Sequence, residues 1–204
     1  IFSYLRIVDE KGNMFWHPWL VMLNEQRRMA PAISEFPSKF IYKGLLKDNS
    51  VVLTGQNKKK NDVVINKQPL AKDALNLVDM AGTYCAADKN TDGSRFNILS
   101  AVISFSTAVN AQNNNIDDVG IITPYAAQVR LIRAMLRDYY AKDIPSIRCA
   151  TVHQFQGSES DVIVFDAVES YPKGAVGYLM GKEPNQVTRL INVAITRGKG
   201  KVIV

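Results

Sequence analysis

Apolar residues fall into two rhythms along the second half of the chain. Val119-Gly120-Ile121-Ile122, Ile147–Thr151, Val162–Asp166 and Lys201-Val202-Ile203-Val204 are short runs that are apolar almost throughout. Such runs, rich in β-branched residues, suit strands buried on both faces. Between them, apolar residues recur at three- and four-residue spacing. That spacing predicts a helix over about 124–141, with Val129, Ile132, Leu136 and Tyr139 on one face and Arg130, Arg133 and Arg137 as a basic stripe beside it. Thr123 is expected as its N-cap and Pro124 as its first helical residue. A second amphipathic helix is expected over 97–110, through Leu99, Val102, Ile103, Ser106 and Val109, with Leu75–Met80 as a candidate strand before it. Arg189–Arg197 reads as a third helix with an arginine near each end.

Strands that are apolar on both faces and alternate with helices indicate an α/β fold, in which a parallel sheet is covered on two sides. Residues 55–73 and 85–95 are rich in Asn, Lys, Asp and Gly, and read as loops within a loop-rich insertion spanning about 47–95. The run Lys58-Lys59-Lys60-Asn61-Asp62 is expected at a solvated loop tip. Gly174, Gly177, Gly181 and Pro184 mark a long irregular connection around 170–186.

A length of 204 residues suits one domain, and the 47% hydrophobic and 22% charged content is that of a globular protein. The longest apolar runs are too short to span a bilayer, so no membrane partner is expected. Cys85 and Cys149 are too few for a disulfide scaffold or a four-cysteine zinc site and read as free thiols. With Asp9, Glu10 and Lys11 in place of an apolar leader core, they point to a cytoplasmic, intracellular protein. The net charge of +6 is diffuse; it is compatible with a polyanionic partner without singling one out. The chain opens at Ile1 and stops at Val204 within an apolar run, as an excised piece would.

Ligands of open parallel sheets bind at the carboxyl ends of the strands, which draws attention to Thr151-Val152-His153-Gln154-Phe155-Gln156-Gly157-Ser158-Glu159-Ser160-Asp161 after one strand. Two further blocks stand out. One is Glu25-Gln26-Arg27-Arg28-Met29-Ala30-Pro31 with Ile33, Phe36-Pro37-Ser38 and Tyr42-Lys43-Gly44-Leu45; the other is Arg189-Leu190-Ile191-Asn192-Val193-Ala194-Ile195-Thr196-Arg197. With Val119–Tyr125 and Gln128, these four blocks, in this order, resemble the second RecA-like domain of superfamily 1 helicases. The branch they are most similar to contains the nonsense-mediated-decay helicase and senataxin. The resemblance runs from residue 23 to 200 and implies a three-layer RecA-like fold of the P-loop NTPase type, with a mostly parallel central sheet and no phosphate loop of its own. The nearest lookalike, Gly177–Glu183, has three residues between its glycines and Glu where a metal-binding hydroxyl belongs, and is rejected.

The resemblance also implies roles. Arg28 corresponds to the motif IV arginine that reaches the γ-phosphate of ATP, and Arg197 to the motif VI arginine finger. Gln26 and Arg27 would lie beside the base, Arg27 standing where an aromatic is common. Gly157 would allow close backbone approach to the nucleotide, and Glu159 would accept ribose hydroxyls. Thr123, Tyr125, Thr151 and, more weakly, Gln128 would meet a single-stranded DNA or RNA backbone. Mg²⁺ would be held mainly by the first RecA-like domain of the full-length chain, so no metal site is expected here and this piece alone should be inactive. The competing readings are a non-catalytic RecA-like module that binds nucleic acid or protein, and an unrelated dinucleotide enzyme; no glycine-rich first βα turn supports the latter.

Overall fold

The computed structural model describes residues 23–141, 147–170, 177, 179 and 184–204. In chain order they form β1 (Glu25–Gln26), α1 (Pro31–Phe40), β2 (Lys47–Asp48), α2 (Ser50–Leu53), α3 (Gln56–Asn66), β3 (Leu75–Asn76), β4 (Asp88–Lys89), β5 (Arg95–Phe96), α4 (Ile98–Asn113), β6 (Val119–Thr123), α5 (Ala126–Tyr140), β7 (Arg148–Thr151), α6 (Val152–Phe155), β8 (Ser160–Phe165), α7 (Pro184–Ile195) and β9 (Gly198–Ile203). Most of the irregular connection expected around 170–186, with the Gly177–Glu183 lookalike, lies outside the described residues. Among those described, no helix is long and apolar enough to cross a membrane.

Five strands pair in the order β3–β9–β8–β6–β7, every pair parallel. Each apolar run of the sequence is a strand of this sheet, and all five residues of β6 are buried. Helices α4 and α5 cover one face, packing Ala101, Ala108, Ile132 and Leu136 on Val119, Ile121, Val162 and Val164. Helices α1, α6 and α7 cover the other, where Ile33, Phe155, Leu190 and Ala194 meet Ile122, Ile163, Phe165 and Val202. The architecture is the expected three-layer α/β RecA-like sandwich.

Three local expectations are corrected. First, residues 56–66 are not a loop. Helix α3 buries Asn61 and Val64, and Gly200 of β9 lets Val64 approach so closely that a Cβ there would lie 2.7 Å from it. The polar residues that suggested a loop are its solvent face. Second, of the stripe expected on α4 only Val109 is buried. Ala101, Ser104, Ala108 and Ala111 face the sheet, whereas Leu99, Val102 and Ser106 are exposed. Small side chains allow the close approach that the larger ones would prevent. Third, Tyr125 rather than Thr123 caps α5; Thr123 is the last residue of β6 and Pro124 lies before the cap.

Lys201, in β9, is fully buried, and its ammonium donates to the carbonyls of Lys67 (2.6 Å) and Pro69 (2.7 Å). Burial pulls its pKa down to about 8, only partly opposed by Asp73. A lysine whose folded pKa lies below its ordinary value binds fewer protons in the folded state between the two values. Stability therefore rises with pH across that window. Denaturant titrations from pH 8 to about pH 10.4 should show this gain over a Lys201→Met variant; parallel curves would contradict it.

Gly120, in the inner strand β6, leaves room for Phe155: a Cβ there would lie 2.5 Å from Phe155 Cζ and 2.9 Å from Ile163 Cδ1. Gly120→Ala should therefore destabilise the domain by about 1–3 kcal/mol, read as a lowered denaturation midpoint. An unchanged midpoint would show that Phe155 yields freely.

Candidate functional site

The sequence blocks converge at two opposite ends of the sheet. The first group gathers at the amino ends of β8 and β9, where Glu159 and Arg197 are the residues immediately before each strand. The Ser160 amide donates to the Arg197 carbonyl (3.0 Å), which locks the two strand entries together. Arg28 follows β1 and is brought alongside by the next turn of chain, since the Ala30 amide donates to the Lys199 carbonyl at 2.7 Å. This overturns the expectation that the Gly157–Glu159 segment sits at a carboxyl end. The short helix α6 carries the chain from the carboxyl end of β7 back across the sheet, so Glu159 opens the next strand.

Arg28 Nε donates to Glu159 Oε2 at 2.5 Å, and Arg28 Nη1 donates to the Thr196 carbonyl at 3.1 Å. Arg197 donates from Nε to the Val193 carbonyl (3.0 Å) and from Nη1 to the Ser158 carbonyl (3.4 Å). Burial, and after it the neighbouring Arg28 guanidinium, pulls the Arg197 pKa below the ordinary arginine value, while Glu159 and Tyr42 oppose the shift. Two guanidinium groups thus share the field of one carboxylate. Arginine stays charged throughout the usual pH range, so the cluster is short of negative charge and suits a polyanion.

Local structure holds this cluster in place. The buried Gln26 side chain accepts from the Arg28 and Met29 amides (2.9 and 2.8 Å) and donates to the Met29 carbonyl (2.9 Å) and to Asp48 (2.5 Å). Its amide is spent on shaping the Arg27–Met29 turn. The Arg27 side chain is 70% exposed, with a distant Glu25 contact at 4.0 Å. Gly157 has φ +87° after a Gln156 at φ −57°, ψ 134°, and the Ser158 amide donates to the Phe155 carbonyl (3.0 Å). That is type II turn geometry, which favours glycine at its third position. Helix α3 supplies residues that the sequence reading missed. Asn57 donates to the Arg27 carbonyl (2.7 Å) and Asn61 to the Arg28 carbonyl (3.3 Å). With Lys60 they form the far wall of a cleft of about 860 Å³ that contains Arg27, Arg28, Glu159 and Lys199. Only recognising α3 as a helix would have revealed them. Lys199 bridges Asp118 (2.9 Å) and Asp161 (2.8 Å) at the cleft floor. Among the described residues, no three acidic, His or Cys side chains gather as metal ligands.

The second group lies at the carboxyl ends of β6 and β7, where Thr123 and Thr151 pair in register. A strand of six residues separates the two ends by roughly 20 Å. Thr151 is half-buried and caps α6 by accepting from the Gln154 amide (3.4 Å). Tyr125 is half-buried, with its hydroxyl donating to Glu169. The other two candidates are corrected, because Thr123 and Gln128 are both 0% exposed. The Gln128 side chain accepts from the Asn97 amide (2.9 Å). It donates to Asn97 and Ser100 and, at 2.7 Å, to Asp166. It is a core residue that ties α4 to α5 and β8. Asp166 is itself buried, and burial raises its pKa against the bonds from Gln128, Ser100 and Val168.

Comparison with known proteins gives the family. The model of the AAA domain family matches residues 8–204. Helicase sen1 of Schizosaccharomyces pombe is 33% identical over 192 residues, covering 91% of this chain but 10% of that protein. The DNA polymerase alpha-associated DNA helicase A of the same organism is 30% identical, covering 98% of this chain and 29% of that protein. The Regulator of nonsense transcripts 1 homolog of Arabidopsis thaliana is 28% identical over 90% of this chain and 14% of that protein. The chain belongs to this family. It is a superfamily 1 helicase C-terminal domain related to those branches, and it spans less than a third of each of these relatives.

The buried network makes a prediction within this helicase domain. Gln128→Leu leaves the Asn97 amide and the Asp166 carboxyl short of partners, so it should cost about 2–4 kcal/mol of stability. Because the side chain is wholly buried, the folded variant should leave any nucleic-acid binding by the domain unchanged. Weakened nucleic-acid binding with stability intact would return Gln128 to the binding surface.

Proposed function

We propose that the full-length protein is an ATP-dependent helicase or translocase acting on single-stranded DNA or RNA, and that this domain supplies two arginines to ATP across a cleft shared with the first RecA-like domain. The placement of Arg28 on the Glu159 carboxylate and of Arg197 on the neighbouring Ser158 carbonyl, both at the amino ends of β8 and β9, carries this reading. Phosphoryl transfer spreads charge over the γ-phosphate oxygens, and planar, permanently charged guanidinium groups stabilise it. Arg197 is the finger and Arg28 its companion. Glu159 accepts from the ribose hydroxyls, and the Gly157 turn keeps the backbone near the nucleotide free of side chain. Arg27 stacks on the base from the open side, and Gln26 acts through the Arg28 backbone, not on the base. Mg²⁺ neutralises phosphate charge when bound, and its ligands are assigned to the first RecA-like domain.

At the opposite end of the sheet, Tyr125 and Thr151 meet the nucleic-acid phosphates. Backbone contacts of this kind position a strand without reading its sequence. Because the two surfaces stand on the same rigid strands, closing the nucleotide cleft moves the nucleic-acid surface with it. Hydrolysis then depends on domain closure, since the arginines arrive from one domain and the metal from the other.

In the full-length protein, Arg197→Ala should lower nucleic-acid-stimulated ATPase by roughly 10³-fold or more, and Arg28→Ala should also lower it strongly, with the fold retained by circular dichroism. An ATPase that survives both substitutions would support the non-catalytic binding module instead.

A further inference from the structure

The carboxylate of Glu159 lies where an anionic ligand of Arg28 would be expected. It takes Arg28 Nε at 2.5 Å, and Arg197 is near enough for its charge to be felt. Around it stand Arg27, Arg28, Lys60 and Lys199, all lining one open cleft. Lys199 is already neutralised by Asp118 and Asp161, a pairing that does not involve Glu159. The Glu159–Arg28 pair is of a different kind. Its side chains are 45% and 37% exposed, so solvent reaches both partners. Glu159 follows the Gly157 turn, and the Arg28 guanidinium has a second anchor on the Thr196 carbonyl (3.1 Å). The guanidinium can therefore exchange one anion for another while that anchor holds it near Arg197.

We infer that Glu159 is an internal stand-in for phosphate, a latch that neutralises Arg28 until a polyphosphate displaces it, whereupon the freed carboxylate turns to the ribose hydroxyls. This rests on the proposed nucleotide site and adds an order of events to it. Without phosphate, Arg28 is held by Glu159 and two like-charged guanidinium groups remain close at low cost. With phosphate, the two arginines gain an anion between them and Glu159 loses its cation. A free carboxylate beside polyphosphate would be repelled, so its exchange onto ribose hydroxyls completes the swap. A ligand with phosphates but no ribose cannot complete it and binds against the latch. The site thus selects for a nucleotide over free polyphosphate independently of the Arg27 contact to the base.

The test measures inhibition of the full-length protein's ATPase by inorganic tripolyphosphate with Mg²⁺, and compares direct binding of ATP with that of 2′,3′-dideoxy-ATP. Glu159→Gln opens the latch and should tighten tripolyphosphate by about three- to tenfold while reducing the preference for ATP over its dideoxy form. In an Arg28→Ala background, binding measured directly by calorimetry, the same Glu159→Gln change should leave tripolyphosphate unaffected. A gain that persists without Arg28 is a general field effect and overturns the latch. So does unchanged tripolyphosphate binding on Glu159→Gln alone, which leaves Glu159 as a ribose acceptor only. If Arg28→Ala itself alters neither ATP nor tripolyphosphate binding, the nucleotide site is wrongly placed and both readings fall together.

Discussion

Helices close both faces of the parallel sheet, and this single constraint decides where chemistry can occur in the domain. Strands β6, β8 and β9 are buried nearly throughout, so neither face has a surface to offer. Only the loops at the two strand ends remain. Parallel strands all point the same way, and every loop therefore belongs to one end or the other. The short α6 crossover separates two blocks that adjoin in sequence. It leaves Thr151 at the carboxyl end and delivers Gly157 and Glu159 to the amino end. A single RecA-like domain can in this way present one surface to a nucleotide and another, roughly 20 Å away, to a nucleic acid.

The two ends also differ in how firmly their charges are held. At the amino end, Arg28 and Glu159 form a solvated pair, and such pairs contribute only about 0–1 kcal/mol. An exchange of partners there meets little resistance. At the carboxyl end, Arg95 and Glu169 pair at 2.9 Å with side chains 7% and 9% exposed, and the Tyr125 hydroxyl donates to the same carboxylate. Removing one member of a buried pair strands the other at a cost of about 3–5 kcal/mol. The proposed nucleic-acid surface is thus built on a fixed ion pair and the proposed nucleotide surface on an exchangeable one. A track needs constant shape, whereas a site that opens and closes in each cycle needs partners it can trade.

The central strands were legible in the sequence because burial on both faces leaves continuous apolar runs, a signal that surrounding loops cannot imitate. The motif blocks were legible as blocks. Their placement was not, because the rule that ligands sit at carboxyl strand ends does not account for a four-residue helix that returns the chain to the other end. Helix α3 was hidden by its composition: Gln56–Asn66 has eight polar or charged and only weakly patterned positions around Val63, Val64 and Ile65, and the partner that makes it a helix is Gly200, far along the chain. In α4, the small residues Ala101, Ala108 and Ala111 seat the helix, while the larger Leu99 and Val102 that drew the eye face outward. Gln128 shows a further limit. Motif membership gave it a ligand-facing role, yet its amide is fully occupied within the core.

We propose that one rigid sheet carries a nucleotide surface at its amino end and a nucleic-acid surface at its carboxyl end. Hydrogen exchange on the full-length protein, with each ligand added separately, tests this most directly. A non-hydrolysable ATP analogue with Mg²⁺ should slow exchange at residues 26–29, 157–160 and 197–199. Single-stranded nucleic acid should instead slow exchange at residues 123–127 and 151–155. Protection by the nucleotide at the carboxyl ends of β6 and β7, with residues 26–29 and 197–199 unaffected, would place the nucleotide at the other end of the sheet.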